Sequence, residues 1–477
     1  MCALLVLVPF FSILLLNLPF RSLNKRLAFA VAAVLFLLQV ASVFLPDHLF
    51  WNVNQSAFGS IFRFELSADI LSKVVLFCVG IVSFAALFAA GHFAKNSDEK
   101  FNFINMLLIA VAGMNGVVLA RDIFSLYVFL EITAVSSFIL IAFDRDILGL
   151  EGAFKYIVLS GVATVLMIAG IALLVLVAGS TNFSAIHSAI LSQNKDLVIN
   201  LAVGLFISAL FIKSGLMPFH GWLPDAYTSA PNAASVLLAG IVTKVAGAYC
   251  LIRILVSMVG FSLPLKSVLL FVGAVSAILG AIAALTQSDF KRMLSYSSIS
   301  QVGYIILGLG SGTALGIAGA AFHIFNHAIF KSLLFMNSAA VESRLGSRDI
   351  DKMGGLAKQM PLTGLTSVIG SLSCAGIPPL AGFWSKLIII IALWLAGYKA
   401  YAVIAVLGSI LTLAYFLTLQ RKVFFGKQNN EFINIKEASF SLVFPALLLA
   451  AIIVAAGVLS PFILNRFILS FSPLLGG

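Results

Sequence analysis

The sequence predicts an all-α polytopic membrane protein with about 14 transmembrane helices. Of its 477 residues, 61% are hydrophobic and only 10% are charged, whereas soluble domains have charges at about one residue in four. Apolar runs of about 18 to 25 residues, long enough to cross a bilayer, recur from end to end. No soluble region is large enough to hold a separate catalytic domain.

We divide the chain into spans by these apolar runs, and we interpret the N-terminal run as a first span because no basic segment precedes it and no cleavage site follows it. The polar interruptions around residues 47–68, 179–197, 341–361 and 421–440 are predicted to be loops or interfacial segments. The predicted spans are 2–19, 27–46, 69–91, 103–120, 123–143, 152–178, 198–230, 232–256, 264–286, 293–311, 313–340, 361–395, 400–420 and 441–464.

Two predicted spans contain helix breaks. The segment 211–225 contains Gly215, Pro218 and Pro224, and the segment 374–386 contains Gly376, Pro378 and Pro379. Unwound backbone at membrane depth requires protein or water around it, and paired broken helices are typical of inverted-repeat transporters. Because the breaks fall in the seventh and twelfth spans, we predict two inverted five-helix repeats.

The predicted repeats set the domain organisation. Residues 1–102 would hold the first three helices, 103–256 the first repeat, 264–420 the second repeat, and 421–477 a loop and the last helix.

The net charge of +11 could indicate nucleic acid or an anionic surface as a partner, but its distribution indicates topology. Lysine and arginine are concentrated in the odd-numbered loops, so the positive-inside rule places those loops in the cytoplasm. We therefore predict a multi-pass protein of the cell membrane, with both termini on the extracytoplasmic side and no nucleic-acid partner.

One carboxylate and five lysines lie inside the apolar stretches. A charge at the bilayer centre costs a few kcal/mol even on mild scales, so such residues persist where they are paired, hydrated or functional. Ion movement is therefore the leading hypothesis. The residues are Glu131, Lys73, Lys213, Lys244, Lys331 and Lys386.

Glu131 and Lys213 are predicted to form a coupled pair. Glu131 lies about 12 Å into its span at 1.5 Å per residue, and Lys213 stands beside the first helix break. Held together, the pair favours the ammonium form; pulled apart, it can release a proton. The alternative is an ion pair that only fixes helix packing.

A polar stripe is predicted on one helix, because His323, His327 and Lys331 are spaced i, i+4, i+8. Such chains mark proton routes; zinc binding is the alternative, although no third ligand or HExxH glutamate accompanies the pair. Lys386 follows the second break and could pass its proton to one face. Lys73 lies near a span end and could simply extend to the interface.

No cofactor or metal site is predicted in the chain. The four cysteines are scattered singly through apolar segments without a CxxC pair, and no P-loop or dinucleotide-binding motif is present. Asp144-Arg-Asp146 is superficially similar to the metal-binding motif of glycosyltransferases, but we interpret it as a solvated loop.

From about residue 65 to 425 the chain resembles the antiporter-like subunits shared by respiratory complex I, Mrp cation/proton antiporters and membrane-bound energy-converting hydrogenases. The motifs are Lys213 with Pro218-Phe-His220-Gly-Trp-Leu-Pro-Asp225, Thr243-Lys244, Asp289-Phe-Lys-Arg292-Met-Leu-Ser-Tyr, His327-Ala-Ile-Phe-Lys331, and Gly376-Ile-Pro-Pro379 to Lys386.

The resemblance implies 14 helices with two inverted units and a central polar axis. Glu131 and Lys213 match the family's coupled pair, and Lys244 matches its connecting lysine. His327 and Lys331 match polar residues of the eleventh helix, and Lys386 matches the terminal residue of the twelfth, where some members carry glutamate. His220, Asp225 and His323 are secondary candidates. The chain is expected to lack the long lateral helix of the most distal complex I subunit.

Such subunits work inside hetero-oligomeric complexes, so the resemblance implies other membrane subunits as partners, with any iron–sulfur or nickel–iron centres in those subunits. We expect a proton to pass from the cytoplasmic side along Lys213, Lys244, His327 and Lys331 to Lys386, gated by the Glu131–Lys213 pair.

Four functions remain, in descending order of preference. The first is a proton-translocating subunit of a redox-driven complex. The second is a subunit of an Mrp-type Na⁺/H⁺ antiporter without a redox arm. The third is a membrane enzyme acting on lipid-linked substrates, and the fourth is a structural scaffold.

Overall fold

The structure, a computed structural model, describes residues 1–18, 21–57, 61–94, 96–192, 197–428 and 432–469. The end of the first predicted span at residue 19 and the tail after residue 469 lie outside these ranges. The helices are α1 (Cys2–Leu16), α2 (Arg21–Ser42), α3 (Ile70–Phe93), α4 (Ser97–Leu119), α5 (Ile123–Ile141), α6 (Ile147–Ala178), α7 (Phe183–Ser192), α8 (Leu197–Ser214), α9 (Trp222–Ser229), α10 (Asn232–Val259), α11 (Leu263–Leu285), α12 (Phe290–Gly310), α13 (Ala314–Leu345), α14 (Pro361–Ala375), α15 (Ala381–Leu395), α16 (Lys399–Phe424) and α17 (Phe440–Leu469).

Every predicted span coincides with a helix or with a pair of half-helices. Among the described residues, 11 helices are long and apolar enough to cross a membrane, and α1 and the halves of the second broken span are shorter apolar helices. The serine-rich α12 occupies the tenth predicted span. The prediction of an all-α polytopic membrane protein is confirmed.

Short polar side chains set where several helices begin. Asp122, Asp146 and Asp289 each accept a hydrogen bond from a backbone N–H in the first turn of the following helix. These groups would otherwise have no intrahelical partner, so a side-chain cap stabilises the helix start. Asp146 therefore has a capping role, which accounts for part of the Asp144-Arg-Asp146 motif.

Both predicted helix breaks are present. The chain leaves the helical path between α8 and α9, where Gly215 has a positive φ of 66°, and between α14 and α15, where Gly376 has a φ of 86°. Glycine adopts this left-handed conformation without steric cost, and the nearby prolines cannot continue a helix.

Two of the predicted polar interruptions contain regular structure. In the first, β1 (Val53–Ala57) and β2 (Phe62–Leu66) form an antiparallel hairpin. The second contains the short helix α7. The sequence analysis predicted loops or interfacial segments there without these elements.

The described chain forms two compact units. Unit 1 comprises Met1–Leu87, Ala94–Gly215 and Ile241–Phe261, and unit 2 comprises Phe88–Phe93, Leu216–Gly240 and Ser262–Gly477, in each case within the described ranges. The inverted-repeat relation between 103–256 and 264–420 stays a prediction.

Buried amides join the helices of unit 1. Gln39 and Asn115 donate hydrogen bonds to each other's side-chain oxygens at 2.9 and 3.0 Å. Asn115 also donates to the carbonyl of Leu5 at 2.8 Å. That carbonyl lies four residues before Pro9, which has no N–H to offer it. In lipid, such interhelical hydrogen bonds and close contacts replace the hydrophobic effect as the source of packing stability.

Small residues let the helices of unit 2 approach closely. Gly273 on α11 and Gly303 on α12 face each other so closely that a Cβ on Gly303 would collide with the α11 backbone. The adjoining core consists of Leu270, Ala274, Ala277, Tyr304, Leu307, Ile389, Leu393, Ala402 and Ala405. The four alanines in this core allow close helix contact in the same way.

Candidate functional site

Glu131 and Lys213 form an ion pair in unit 1. The Lys213 Nζ atom lies 3.1 Å from Glu131 Oε1, although the two residues are 82 positions apart in the chain. Lys213 stands in the last turn of α8, where the helix dipole favours a cation. Its side chain is only 3% exposed. The structure thus brings together the two residues that the sequence analysis paired.

Two hydroxyl groups from α6 complete this pair. Thr164 donates a 2.8 Å hydrogen bond to Glu131 Oε1, and Lys213 Nζ lies 3.4 Å from Ser160 Oγ. Both charges therefore have a neutral partner beside the ionic one. A carboxylate with a hydroxyl donor keeps part of its stabilisation when the lysine moves away.

The Glu131 side chain is 27% exposed, far more than that of Lys213. It lines an open groove of about 680 Å³ with apolar residues of α1 and α5, among them Phe10, Ile13 and Val135. The carboxylate can therefore contact the exterior of unit 1 on one side and Lys213 on the other.

Lys244 is fully buried in unit 1. Its Nζ donates to Thr243 Oγ1 at 2.9 Å. The helix is π-helical over Leu238–Val242 and again over Lys244–Tyr249, and such turns are frequent at functional sites. Gly247 lies directly against Ser214, so the turn after Lys244 packs on the turn that carries Lys213.

Unit 2 holds Lys331 and Lys386. Lys331 is fully buried, and its ammonium donates to Ser297 Oγ at 2.6 Å and to the carbonyl of Leu294 at 3.1 Å. Lys386, 3% exposed, has its Nζ 4.4 Å from the centroid of the Tyr304 ring, a cation–π contact. In unit 2, aromatic and hydroxyl partners thus take the place that a carboxylate has in unit 1.

His323 lies beside the second broken span. Its Nδ1 is 2.9 Å from Ser385 Oγ, next to Lys386 in sequence, and its buried Nε2 has no hydrogen-bond partner among the described residues. His327 is also fully buried. Within the described ranges, no group of three or more His, Cys, Asp or Glu residues could hold a metal ion.

The secondary candidates His220 and Asp225 belong to a different cluster in unit 2. Asp225 Oδ1 accepts a 2.7 Å bond from Arg292, while the His220 ring lies 6.4 Å from that of Tyr296. Lys73 donates to the carbonyl of Leu45 at 2.9 Å near the start of α3.

The sequence analysis missed Lys291. The predicted spans 264–286 and 293–311 leave Lys291 in a loop, yet its side chain is buried at the start of α12 and its Nζ donates to the carbonyl of Ala230 at 3.0 Å. The signal was Asp289, which caps α12 and so fixes Lys291 in the first helical turn.

A partly buried charge network in unit 1 was also missed. Arg253 near the end of α10 is 3% exposed and binds both carboxylate oxygens of Asp69, at 2.6 and 2.8 Å. It also donates to Tyr249, while Arg121 lies 3.6 Å from Asp69. A fork-shaped guanidinium is suited to this bidentate geometry. The pair anchors the end of the helix that carries Lys244.

We expect the Asp69 pair to make stability depend on acid pH. Burial alone would raise the pKa of the Asp69 carboxyl, but Arg253 and Arg121 hold this pKa well below its usual range. Since the unfolded pKa is about 3.9, the stabilisation is complete above that pH and is lost as the pH falls below it. Asp69→Asn should lower the melting temperature of the detergent-solubilised protein at pH 7.

The melting-temperature difference between wild type and Asp69→Asn should narrow at pH 3, where the stabilisation from the wild-type carboxylate begins to be lost. Equal melting temperatures at pH 7, or an unchanged difference at pH 3, would contradict this account of the pair.

Comparison with known proteins identifies the family. Residues 120–412, more than half of the chain, match the family described as NADH:quinone oxidoreductase/Mrp antiporter, TM. A Na⁺/H⁺ antiporter subunit of Alkalihalophilus pseudofirmus is 32% identical, over 89% of this chain and 87% of that protein. An NADH-quinone oxidoreductase subunit of Desulforudis audaxviator is 34% identical, over 87% of this chain and 84% of that protein.

A solved structure shows the same fold. One polypeptide in the structure of the Mrp complex from Dietzia sp. DQ12-45-1b superposes with a TM-score of 0.91 and 25% identity, covering 100% of this chain and 97% of that one. This chain therefore combines the fold of an antiporter-like subunit with two helix breaks, buried lysines and the Glu131–Lys213 pair. This protein belongs to the NADH:quinone oxidoreductase/Mrp antiporter transmembrane family and is an antiporter-like membrane subunit.

Proposed function

We propose that this chain translocates protons as a membrane subunit of a redox-driven complex. The Glu131–Lys213 contact carries the proposal, because it is an ion pair between the apolar helix α5 and the last turn of α8, beside the first helix break. A purely structural pair gains little over apolar packing in such an environment. Glu131 is more exposed than Lys213, which suits a pair whose carboxylate can move away from the buried lysine.

The pair acts as a switch in this scheme. While Lys213 contacts Glu131, the lysine keeps its proton; when they separate, the ammonium loses its counter-ion and passes the proton on. Thr164 remains as a partner for the carboxylate. Moving one charge against 100 mV costs about 2.3 kcal/mol, which is comparable to the free energy of separating a partly buried ion pair.

The remaining groups divide between the units. Lys244 in unit 1 and His327, Lys331 and Lys386 in unit 2 are the proposed carriers, used in that order, with His323 beside Ser385 as a further candidate. His220, near Tyr296, and Asp225, bonded to Arg292, remain secondary candidates.

The proposed orientation places both termini on the extracytoplasmic side of the cell membrane and the odd-numbered loops in the cytoplasm, as the distribution of basic residues indicates. We further propose that the chain holds no cofactor and that any iron–sulfur or nickel–iron centres belong to partner subunits. The relative from Desulforudis audaxviator supports a redox partner, since its name is that of an NADH-quinone oxidoreductase subunit.

The second candidate function is that of an Mrp-type Na⁺/H⁺ antiporter subunit. Its support is the antiporter relative from Alkalihalophilus pseudofirmus and the structural match to a polypeptide of an Mrp complex. Both functions require the same buried lysines, so the site itself fits both.

Purification of the tagged chain in mild detergent from its own membranes separates the two functions. Mass spectrometry and an iron assay on the co-purifying subunits are the measurements. Iron with hydrogenase-like or quinone-reducing partners supports the redox-driven complex. Small membrane subunits without iron would reject it in favour of the Mrp-type function.

A further inference from the structure

A line of buried hydroxyl groups leads away from Lys331 in unit 2. The Lys331 ammonium donates to Ser297 Oγ at 2.6 Å, and Ser297 Oγ lies 2.6 Å from the Tyr415 hydroxyl. Thr412 stands one turn before Tyr415 on α16, and its hydroxyl donates a 2.8 Å hydrogen bond to the Gly408 carbonyl. All of these side chains are at most 1% exposed. Both hydrogen bonds described for Lys331 are made with α12, to Ser297 and to the Leu294 carbonyl.

The line continues to Gln301. Its Nε2 lies 3.4 Å from Thr412 Oγ1, and its Oε1 is buried without a hydrogen-bond partner among the described residues. A buried acceptor of this kind is ordinarily satisfied by an ordered water. Gln301 stands one turn before Tyr304 on α12, and the Tyr304 ring lies under the Lys386 ammonium. Gln301 thus links the Thr412 contact to the turn of α12 whose Tyr304 contacts Lys386.

We propose that Tyr415 carries protons between Lys331 and the Lys386 end of unit 2. The inference rests on the proposed function and adds a residue on α16 to it. Short, aligned O–H···O contacts allow a proton to advance by exchange along the chain, without forming a free ion in the apolar interior.

Each transfer moves one positive charge from Lys331 to Lys386. Lys331 gives one proton to Ser297 Oγ, the Ser297 hydroxyl proton moves to the Tyr415 oxygen, and the Tyr415 proton moves to Thr412 Oγ1. A water bound to Gln301 Oε1 would complete the path: it takes the Thr412 proton once that hydroxyl turns from the Gly408 carbonyl, and it gives one of its own protons to the neutral Lys386 amine. Lys331 ends as an amine and Lys386 as an ammonium, so one positive charge has moved and every hydroxyl is restored.

Tyr415→Phe tests this proposal with little change in packing. The ring contact with Phe416, at 4.6 Å between centroids, can be kept while only the hydroxyl is lost. In the intact complex reconstituted into liposomes, proton uptake should fall about a hundredfold, the lower end of the range for a lost proton-transfer group. The matched control is Thr418→Val on the same helix, whose hydroxyl donates to the Ala414 carbonyl; uptake should stay at the wild-type rate.

The double variant Ser297→Ala/Tyr415→Phe separates transfer from a structural role. Links in series fail together, so the double variant should be no slower than the slower single variant; independent structural effects would instead multiply. Thr412→Val, which interrupts the next link, should show the same loss, and it replaces Tyr415→Phe if that variant does not assemble.

Wild-type uptake in either the Tyr415→Phe or the Thr412→Val variant would overturn the proposal, as would multiplying losses in the double variant. Lys331→Met in the same preparation shows whether the hydroxyl path alone fails or whether the proton path through Lys331 fails as well. If Lys331→Met abolishes uptake and Tyr415→Phe does not, only the hydroxyl path fails. If Lys331→Met also translocates normally, the part of the proposed function that places the proton path in unit 2 fails.

Discussion

Replacing Lys213 with alanine is expected to abolish proton translocation while the complex still assembles. The substitution removes the cation from the pair at 3.1 Å and leaves Glu131, which keeps Thr164 and the open groove as surroundings. Loss of a positioned proton-transfer group lowers a rate by about a hundredfold or more. Proton uptake into proteoliposomes, normalised to the amount of assembled complex, is the measurement.

Lys155→Ala is the matched control for this experiment. Lys155 lies on α6, the helix that supplies Ser160 and Thr164, but it forms an exposed i,i+4 pair with Glu151. Exposed pairs contribute little, so uptake should stay near the wild-type rate. A Lys213→Ala complex that translocates protons normally would refute the switch, whereas failure to assemble would favour a structural pair.

Replacing Lys331 with methionine is the second large effect that we expect. Methionine has a similar length and adapts its shape to a core, so the packing of α13 against α12 should be retained. The hydrogen bonds to Ser297 and Leu294 are lost together with the titratable group. Uptake should fall about a hundredfold or more, as for Lys213.

The matched control here is Lys358→Met, at an exposed lysine of the segment before α14. Lys358→Met makes the same lysine-to-methionine change as Lys331→Met, but at a side chain that is not buried. Native gel analysis verifies assembly of both variants, and a normal rate in Lys331→Met would remove unit 2 from the proton path.

The sequence predicted the spans and the two breaks because the bilayer imposes simple demands. A span must be apolar over its length, and proline or glycine interrupts it. The Glu131–Lys213 contact was predictable for a related reason: among the carboxylates only Glu131 lies deep within an apolar run, and Lys213 lies beside a break.

Other features depend on tertiary contacts that carry no local signal. Lys291 lies at a segment edge, where sequence alone does not distinguish a buried ammonium from a solvated one. Asp69 and Arg253 stand 184 positions apart at the ends of two spans. Ser297 and Tyr415 are ordinary residues of membrane helices, and only their 2.6 Å contact marks them.

Local hydrogen bonding was unpredictable in the same way. The π-helical turns around Lys244 follow no recognisable residue pattern, and the strands β1 and β2 are only five residues long. Short strands of this kind acquire stability from their neighbours, here the backbone around Leu119 and Arg121, which bonds to β2 and the residue after it.

The measurement that tests the central claim most directly compares Lys213→Ala and Lys331→Met side by side in proteoliposomes, with proton uptake and the driving reaction recorded together. The claim is that protons pass through the buried groups of both units of one chain. It predicts that each variant alone stops this chain's proton uptake. Wild-type uptake per turnover of the driving reaction in either variant would contradict it.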